Sequence, residues 1–233
     1  MSKIVLVVAA LILTLPVMAQ KPTKSNPKAS SAAIDVNDPK AKAILDKISK
    51  KYDSYASLEA SFNLEIELAE QAKEVQKGAV ARKGKQYKVD VNSQSMLSDG
   101  KALWVILHKN KEVQINDLPD PADDDNLLSP ESIFSFYKKG KFIYALVNDY
   151  TENGRALQQI EFKPIDKNSE YSKLRLTLDK KTYEVISVKA FSKDGSRYTF
   201  AITKLTPNKT FAANYFAFDK AKYPGYHVED LRE

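Results

Sequence analysis

The sequence contains no cysteine, and only two of its 233 residues are histidine. Without cysteine the chain forms neither disulfides nor a thiolate nucleophile, and it cannot be acylated at a cysteine after export. His108 and His227 lie far apart and show no metal-ligand spacing. The sequence also has no phosphate-binding glycine loop and no nucleophile elbow. It therefore predicts a protein without catalytic residues, a metal or a cofactor, and we expect it not to be an enzyme.

Three residue groups leave other functions open. Glu65 and Glu67 could serve as an acid and base pair in a periplasmic hydrolase, but they share one row of a predicted strand and fit a solvated row. The acidic residues 123–125 could hold a cation, yet they lack the ligand spacing and glycine of a calcium loop. Alternating Tyr and Lys, as at Tyr87 and Lys88, could suit single-stranded nucleic acid. An exported protein built of alternating strands accounts for the same Tyr and Lys residues, so we expect no nucleic-acid partner.

The N-terminal residues predict export. Lys3 is followed by an apolar run over residues 4–15 and by a small-residue cleavage site at residues 17–19. The run is too short to span a bilayer, and Pro16 interrupts its end. We therefore expect a signal peptide over residues 1–19, a flexible leader over 20–37 and a single domain over 38–233, located in the periplasm.

The net charge is +6. A mild basic excess of this kind would help the protein to approach an anionic membrane surface. Lysines scattered over the surface explain the same number. The sequence leaves both readings open.

Apolar residues at every second position dominate the rest of the chain. Such alternation gives strands with one apolar and one polar face. The clearest runs surround Phe62, Tyr87, Leu174 and Tyr198, with a shorter aromatic run at residues 215–218. Together with turn signals such as Asp99-Gly100, Asn153-Gly154 and Asp194-Gly195, they predict about eleven strands. A sheet of this size must curl or close.

The parity of the early strands predicts a cavity. We expect one row of apolar side chains to line a space large enough for an acyl chain. The predicted lining residues are Phe62, Leu64, Ile66, Tyr87, Val89, Val91, Leu103 and Val105.

Two helices are predicted beside the strands. Asp38 and Pro39 give an N-cap and a first-turn proline, and apolar residues then recur at helical spacing as far as Tyr52. Ser129 and Pro130 begin a second, short helix after an acidic, proline-containing loop. This second helix is either a permanent part of the core or a lid over the cavity. Its candidate lid residues are Ile133, Phe134, Phe136 and Tyr137.

Three stretches resemble the LolA family of periplasmic lipoprotein carriers. Residues 98–104 (SDGKALW) resemble a family hairpin, and residues 57–62 (SLEASF) match the start of the family's first strand. The C-terminal residues, Phe216 and Phe218 followed by Pro224-Gly225, Val228, Asp230 and Arg232, are similar to the family's closing motif. The resemblance covers about residues 38–232.

The resemblance implies an unclosed antiparallel β-barrel with a lid of short helices and an apolar cavity for lipoprotein acyl chains. It also implies a carrier cycle, in which an ATP-driven complex of the inner membrane releases the lipoprotein and an outer-membrane receptor can accept it. The family has an arginine that helps to hold the lid shut. Residues 83–89 occupy the corresponding stretch, so the resemblance assigns this latch role to Lys83, which by strand parity shares a face with Tyr87 and Val89.

Other functions of the same fold stay open at this point. The protein could carry a different apolar lipid, or it could sense lipids or lipoproteins and signal to a protein partner. A transmembrane β-barrel would need aromatic girdles and an aromatic C-terminus, which the sequence lacks. We expect a monomer.

Overall fold

One helix precedes twelve strands in the part of the chain that the structure describes. The structure is a computed structural model, and it describes residues 36–92, 94–118 and 136–232. Helix α1 spans Pro39–Asp53. The strands are β1 Ser57–Glu67, β2 Glu74–Lys83, β3 Gln86–Val91, β4 Gln94–Ser98, β5 Ala102–Leu107, β6 Glu112–Asp117, β7 Phe142–Glu152, β8 Arg155–Pro164, β9 Tyr171–Asp179, β10 Val185–Ser192, β11 Arg197–Pro207 and β12 His227–Asp230. Short 3-10 helices span Phe136–Lys139 and Lys220–Lys222.

All twelve strands belong to one sheet that does not close. Their order is β12-β6-β5-β4-β3-β2-β1-β11-β10-β9-β8-β7, so β12 and β7 are its two edges. Neighbouring strands run antiparallel except β12, which pairs in parallel with β6. This confirms the predicted mainly β, unclosed architecture. The described residues form twelve strands, against a prediction of about eleven.

Tight turns connect the strands where the sequence places residues that tolerate positive φ. Asn153 and Gly154, between β7 and β8, have φ values of 48° and 75°. These values match the two-residue turn that suits the twist of a hairpin. A further hairpin at Gly84, with φ of 57°, joins β2 to β3. The alternation of residues 83–89 predicts one strand here, because Gly-Lys is a weaker turn signal than Asn-Gly or Asp-Gly.

Helix α1 begins at the predicted N-cap. One carboxylate oxygen of Asp38 accepts a hydrogen bond from Lys40 N at 2.8 Å. The other accepts from Leu146 N, on the edge strand β7, at 3.1 Å. Asp38 thus caps the helix and fastens it to the sheet with one side chain.

The apolar face of α1 covers a large core, which we call the helix-covered core. Ala41, Leu45, Ile48 and Tyr52 of the helix are buried in it. The sheet contributes the apolar rows of β7 to β10, which include the fully buried side chains Ile160, Phe162, Leu174, Leu178 and Val188. Burial of this kind contributes about 25 cal/mol per Å² of apolar surface, so this core is the principal source of stability in this half of the sheet.

The opposite face of the sheet is covered in part by the chain after β11. Phe216 is buried there against Ala81 and Leu97, and Trp104 stacks on Phe218 with ring centroids 5.7 Å apart. The prediction of a strand at residues 215–218 is therefore wrong. Tyr215 and Phe216 lie in a turn, and Phe216 and Phe218 pack against the sheet. A run of four residues has too little alternation to fix a strand.

Several predicted features lie outside the described residues. They are the signal peptide, the leader as far as residue 35 and the acidic loop at residues 123–125. The start of the predicted lid helix at Ser129 and Pro130 also lies there. Within the residues that are described, the helices lack the length and hydropathy that a membrane span requires.

Candidate binding face

One face of the sheet carries the predicted apolar rows. Phe62 in β1 lies opposite Gly78 in β2 and Ile202 in β11, and Leu64 lies opposite Phe200, which in turn lies opposite Val188. Residues directly opposite each other on paired strands share a face. Val188 belongs to the helix-covered core, so the face that bears Phe62 is also the face on which α1 packs. We call it the inner face.

A second apolar group lies on the inner face beside the helix-covered core, and we call it the inner cluster. Phe62, Tyr87 and Val89 are its buried members. Its partly buried members are Leu64, Val80, Val91, Met96, Leu103 and Phe200. Phe200 also packs against the helix-covered core, and its ring lies 4.3 Å from that of Phe62. One aromatic pair therefore joins the two apolar regions.

Most of the predicted cavity lining meets in this cluster. Phe62, Leu64, Tyr87, Val89, Val91 and Leu103 all belong to it. Ile66 is buried one step further along β1, opposite Tyr198. Val105 lies opposite Met96 and is partly buried. Sequence parity did not identify Val80, Met96 and Phe200, because strand pairing rather than parity along one strand brings them to this face.

A surface depression of about 440 Å³ touches the cluster at Phe62. Its other lining residues are Ser61, Asn63, Lys77, Gly78 and Thr203. Most of these side chains are polar, so this depression is not the predicted acyl-chain cavity. The role of the predicted lining residues in holding an acyl chain stays a prediction.

The register of the β2–β3 hairpin corrects the expected position of Lys83. Lys83 pairs with Gln86, whereas Arg82 pairs with Tyr87. The expectation that Lys83 shares a face with Tyr87 is therefore wrong, since a two-residue turn at Gly84 reverses the chain between them. Lys83 is exposed, and its latch role stays a prediction.

Arg82 is the basic residue that the hairpin places on the inner face. Its guanidinium donates to the backbone oxygen of Tyr52, at the end of α1, at 3.2 Å. Its Nε is buried and has no hydrogen-bond partner among the described residues. The side chain thus connects strand β2 to the helix, next to the row that contains Leu58 and Tyr87.

The described part of the predicted lid is its C-terminal end. Ile133 and Phe134 lie outside the described residues, and Phe136 is described only as backbone of the 3-10 helix. Tyr137 is buried, and its hydroxyl donates to Asp46 of α1 at 3.0 Å. Burial raises the pKa of the Tyr137 hydroxyl, and the Asp46 carboxylate raises this pKa further. Tyr137 is therefore fixed to the helix-covered core, and whether residues before it open as a lid stays a prediction.

Three of the residues considered for catalysis or metal binding, Glu65, Glu67 and His108, have structural contacts on the other face of the sheet, the outer face. Glu65 pairs with Lys73, and Glu67 with Lys189. His108 lies just beyond β5, where its Nε2 is 2.9 Å from the hydroxyl of Ser95. Among the described residues no group of three His, Cys, Asp or Glu side chains is placed to hold a metal ion.

Comparison with known proteins places this fold in a family. The model of the family "Outer membrane lipoprotein carrier protein LolA" matches residues 53–219, well over half of the chain. A comparison with curated protein sequences finds no match.

Several solved structures are similar to this chain at low sequence identity. An uncharacterized conserved protein from Thermus thermophilus is 11% identical, with a TM-score of 0.54 over 83% of this chain and 99% of that one. A LolA superfamily protein from Nitrosomonas europaea is 14% identical, with a TM-score of 0.41 over 77% of this chain and 98% of that one. A chain of the Pseudomonas aeruginosa MucA/MucB complex is also 14% identical, with a TM-score of 0.41 over 77% of this chain and 61% of that one.

The family match covers β1 to β11, and hence the inner cluster and Arg82. The unclosed antiparallel sheet and its N-terminal helix agree with the architecture expected from the resemblance. The chain belongs to the LolA family of outer-membrane lipoprotein carrier proteins.

Proposed function

We propose that this protein is a periplasmic carrier that binds the acyl chains of lipoproteins against its inner cluster and carries them from the inner to the outer membrane. Its partners in this proposal are acylated lipoproteins and an ATP-driven release complex of the inner membrane. An outer-membrane receptor is a further candidate. The task requires binding and release but no catalysis, metal or cofactor.

The inner cluster is the observation that carries the proposal. It is apolar, it lies beside the helix-covered core, and six of its nine members are only partly buried. Partly buried side chains can move aside for a guest more readily than the close-packed members of a core. An acyl chain gains about 0.8 kcal/mol for each methylene that leaves water, so even partial contact along this face would give useful affinity.

A charge placed in the inner cluster should therefore block the cargo. Val91 is partly buried at the end of β3. In Val91→Glu, an acyl chain would cover a carboxylate that cannot be solvated, and we expect its affinity to fall at least about tenfold. The measurement is calorimetric titration with a triacylated lipopeptide, and the same peptide without acyl chains should not bind. The single tryptophan, Trp104, stacks on Phe218 at the outer face, so its fluorescence is a poor reporter of cargo.

Val75→Glu is the matched control. Val75 lies in the neighbouring strand β2, is 49% exposed and pairs with Glu65, whose side chain is on the outer face. The same change of residue and charge should leave lipopeptide affinity unaltered there. Equal affinity of wild type and Val91→Glu would show that the inner cluster is not the binding site. Binding of free fatty acids but not of lipopeptide would replace lipoproteins by another apolar cargo.

A further inference from the structure

Four basic side chains surround one phenyl ring on the outer face of the sheet. Phe191 lies near the end of β10 and is partly buried. The charged groups of Lys173, Arg175, Lys189 and Arg197 lie 5.1, 5.5, 5.7 and 5.9 Å from its ring centroid, respectively. The four cations come from the three adjacent strands β9, β10 and β11. We call these five residues the Phe191 cluster.

Two carboxylates neutralise only half of this charge. Glu161 in β8 contacts Arg175 at 2.8 Å and Lys173 at 3.0 Å. Glu67 in β1 contacts Lys189 at 3.0 Å and Arg197 at 3.7 Å. The next carboxylate in the same row, Glu65, pairs with Lys73 instead. Four cations against two carboxylates leave a surplus of two positive charges on a rigid face.

Two polar atoms in or beside the cluster also lack hydrogen-bond partners among the described residues. Arg175 Nε and the neighbouring Thr199 hydroxyl are buried, and neither has a hydrogen-bond partner among the described residues. Thr199 lies opposite Lys189, which lies opposite Arg175. A ladder of cross-strand ion pairs serving stability alone would alternate the signs of its charges, because like charges opposite each other are destabilising. Arg175 and Lys189 are such a like-charged pair.

The shape of the site favours an extended anionic surface over a peptide. The cluster lies on the outer face of the sheet, and none of its residues lines either of the depressions beside α1 and beside Phe62. A bilayer presents many phosphates in a plane and requires no groove. We propose that the Phe191 cluster docks this protein onto anionic phospholipid bilayers, with its cations facing headgroup phosphates. The basic net charge, which is +6 for the full sequence, acts in the same direction over longer distances.

The docking face is separate from the proposed cargo site. The cations of the cluster point away from the inner face, since Leu174, Leu176, Val188 and Ala190, which alternate with them, belong to the helix-covered core. The proposal therefore does not depend on the carrier function, and cargo-free protein can test it.

Vesicle co-sedimentation of the processed protein tests the docking. We expect binding to vesicles that contain phosphatidylglycerol, no binding to pure phosphatidylcholine, and loss of binding at high salt. The double variant Lys189→Gln/Arg197→Gln should bind phosphatidylglycerol vesicles about thirtyfold more weakly. Each basic residue near an anionic surface contributes about fivefold in affinity, and this variant removes two of them. Both pairs of Glu161, which is 10% exposed, remain in this variant, and the carboxylate that loses its two partners is the more accessible one of Glu67, which is 30% exposed.

The double variant Lys180→Gln/Lys209→Gln is the control for net charge. Both lysines are more than two-fifths exposed and pair with the accessible carboxylates of Asp149 and Glu59. This control should lose much less of its vesicle binding than the cluster variant does. Equal losses in both double variants would overturn the proposal in favour of a general charge effect. Binding to soluble polyglutamate but not to the vesicles would overturn it in favour of an acidic protein partner.

Circular dichroism and lipopeptide titration distinguish the remaining outcomes. If the cluster variant loses its circular dichroism spectrum, the single variant Arg197→Gln replaces it, because that side chain is 54% exposed. A folded single variant that binds vesicles as tightly as the wild type overturns the proposal. Lipopeptide affinity should not change in either variant, so a loss of cargo binding through Val91→Glu and a loss of docking through the Phe191 cluster are independent results.

Discussion

At the scale of single residues, Gly78 and Phe62 show how closely one buried member of the inner cluster is packed. A Cβ atom added to Gly78 would lie 2.3 Å from Cζ of Phe62 and 2.8 Å from the backbone oxygen of Asp90. The Phe62 ring is therefore accommodated over a strand position without a side chain, and it contacts Phe200 from there. The glycine is required by this close approach and not by a left-handed backbone.

Gly78→Ala should displace the Phe62 ring and destabilise the protein by about 1–3 kcal/mol, the usual cost of overpacking a core. Urea denaturation measures this change in the free energy of unfolding. The double variant Gly78→Ala/Phe62→Leu should recover part of the loss, because the shorter side chain makes room for the methyl group. If the two single changes add without coupling, the contact between these residues does not limit the packing.

At the scale of elements, the sequence predicted what local chemistry specifies. Asp38 and Pro39 predicted the start of α1, and Asn153-Gly154 predicted a turn that the structure contains. The hairpin at Gly84 was missed, and with it the position of Arg82 on the inner face, because face assignment depends on register across a turn. The inner cluster was predicted only in part, since Phe200 and Met96 reach it through strand pairing that no single run of sequence contains.

Helix α1 is joined to the sheet by polar contacts at its C-terminal end as well as by apolar burial. Tyr52 is almost fully buried, and its hydroxyl accepts a hydrogen bond from Val185 N at 3.1 Å. Its backbone oxygen accepts from Arg82. Burial raises the pKa of the Tyr52 hydroxyl above its ordinary value of 10.0, so this group stays protonated at neutral pH.

Tyr52→Phe should destabilise the protein by about 1–3 kcal/mol, because Val185 N would be left buried without this acceptor. Chemical denaturation measures this change in the free energy of unfolding. Tyr55→Phe is the control, since the Tyr55 ring lies 5.6 Å from that of Tyr52 but its hydroxyl has no hydrogen bond among the described residues. Equal stabilities of the two variants would show that the Tyr52 hydroxyl contributes nothing to helix attachment.

At the scale of the whole molecule, the two faces of one sheet differ in chemistry. The inner face is apolar and joins the helix-covered core to the inner cluster through Phe200. The outer face is covered by C-terminal aromatics over β2 to β5 and carries charges over β8 to β11. In the two proposals, cargo and membrane surface are therefore bound by different side chains and do not compete.

The charged part of the outer face should make the free energy of unfolding depend on pH. Burial opposes ionisation of the Glu161 carboxyl, but hydrogen bonds from Arg175 and Lys173 outweigh it, and the pKa of Glu161 is lowered from its ordinary value of 4.5. Backbone N–H groups of Thr182 and Lys181, together with Arg155, similarly lower the pKa of Asp179. A carboxyl whose pKa is lower in the folded state than in the unfolded chain stabilises the fold above its unfolded pKa, and this contribution disappears as pH falls through the folded pKa.

The free energy of unfolding should therefore decrease as the pH is lowered below about 4.5, the ordinary pKa of a glutamate. In Glu161→Gln, part of this dependence should vanish, so the variant is less stable than the wild type at neutral pH and the difference narrows on acidification. Urea titrations at several pH values measure both curves. Glu152→Gln, at an exposed position at the end of β7, should run parallel to the wild type. The difference in the free energy of unfolding between wild type and Glu161→Gln could instead stay constant at every pH. In that case the substitution removes only a packing contact, and the charge of Glu161 does not stabilise the fold through Arg175 and Lys173.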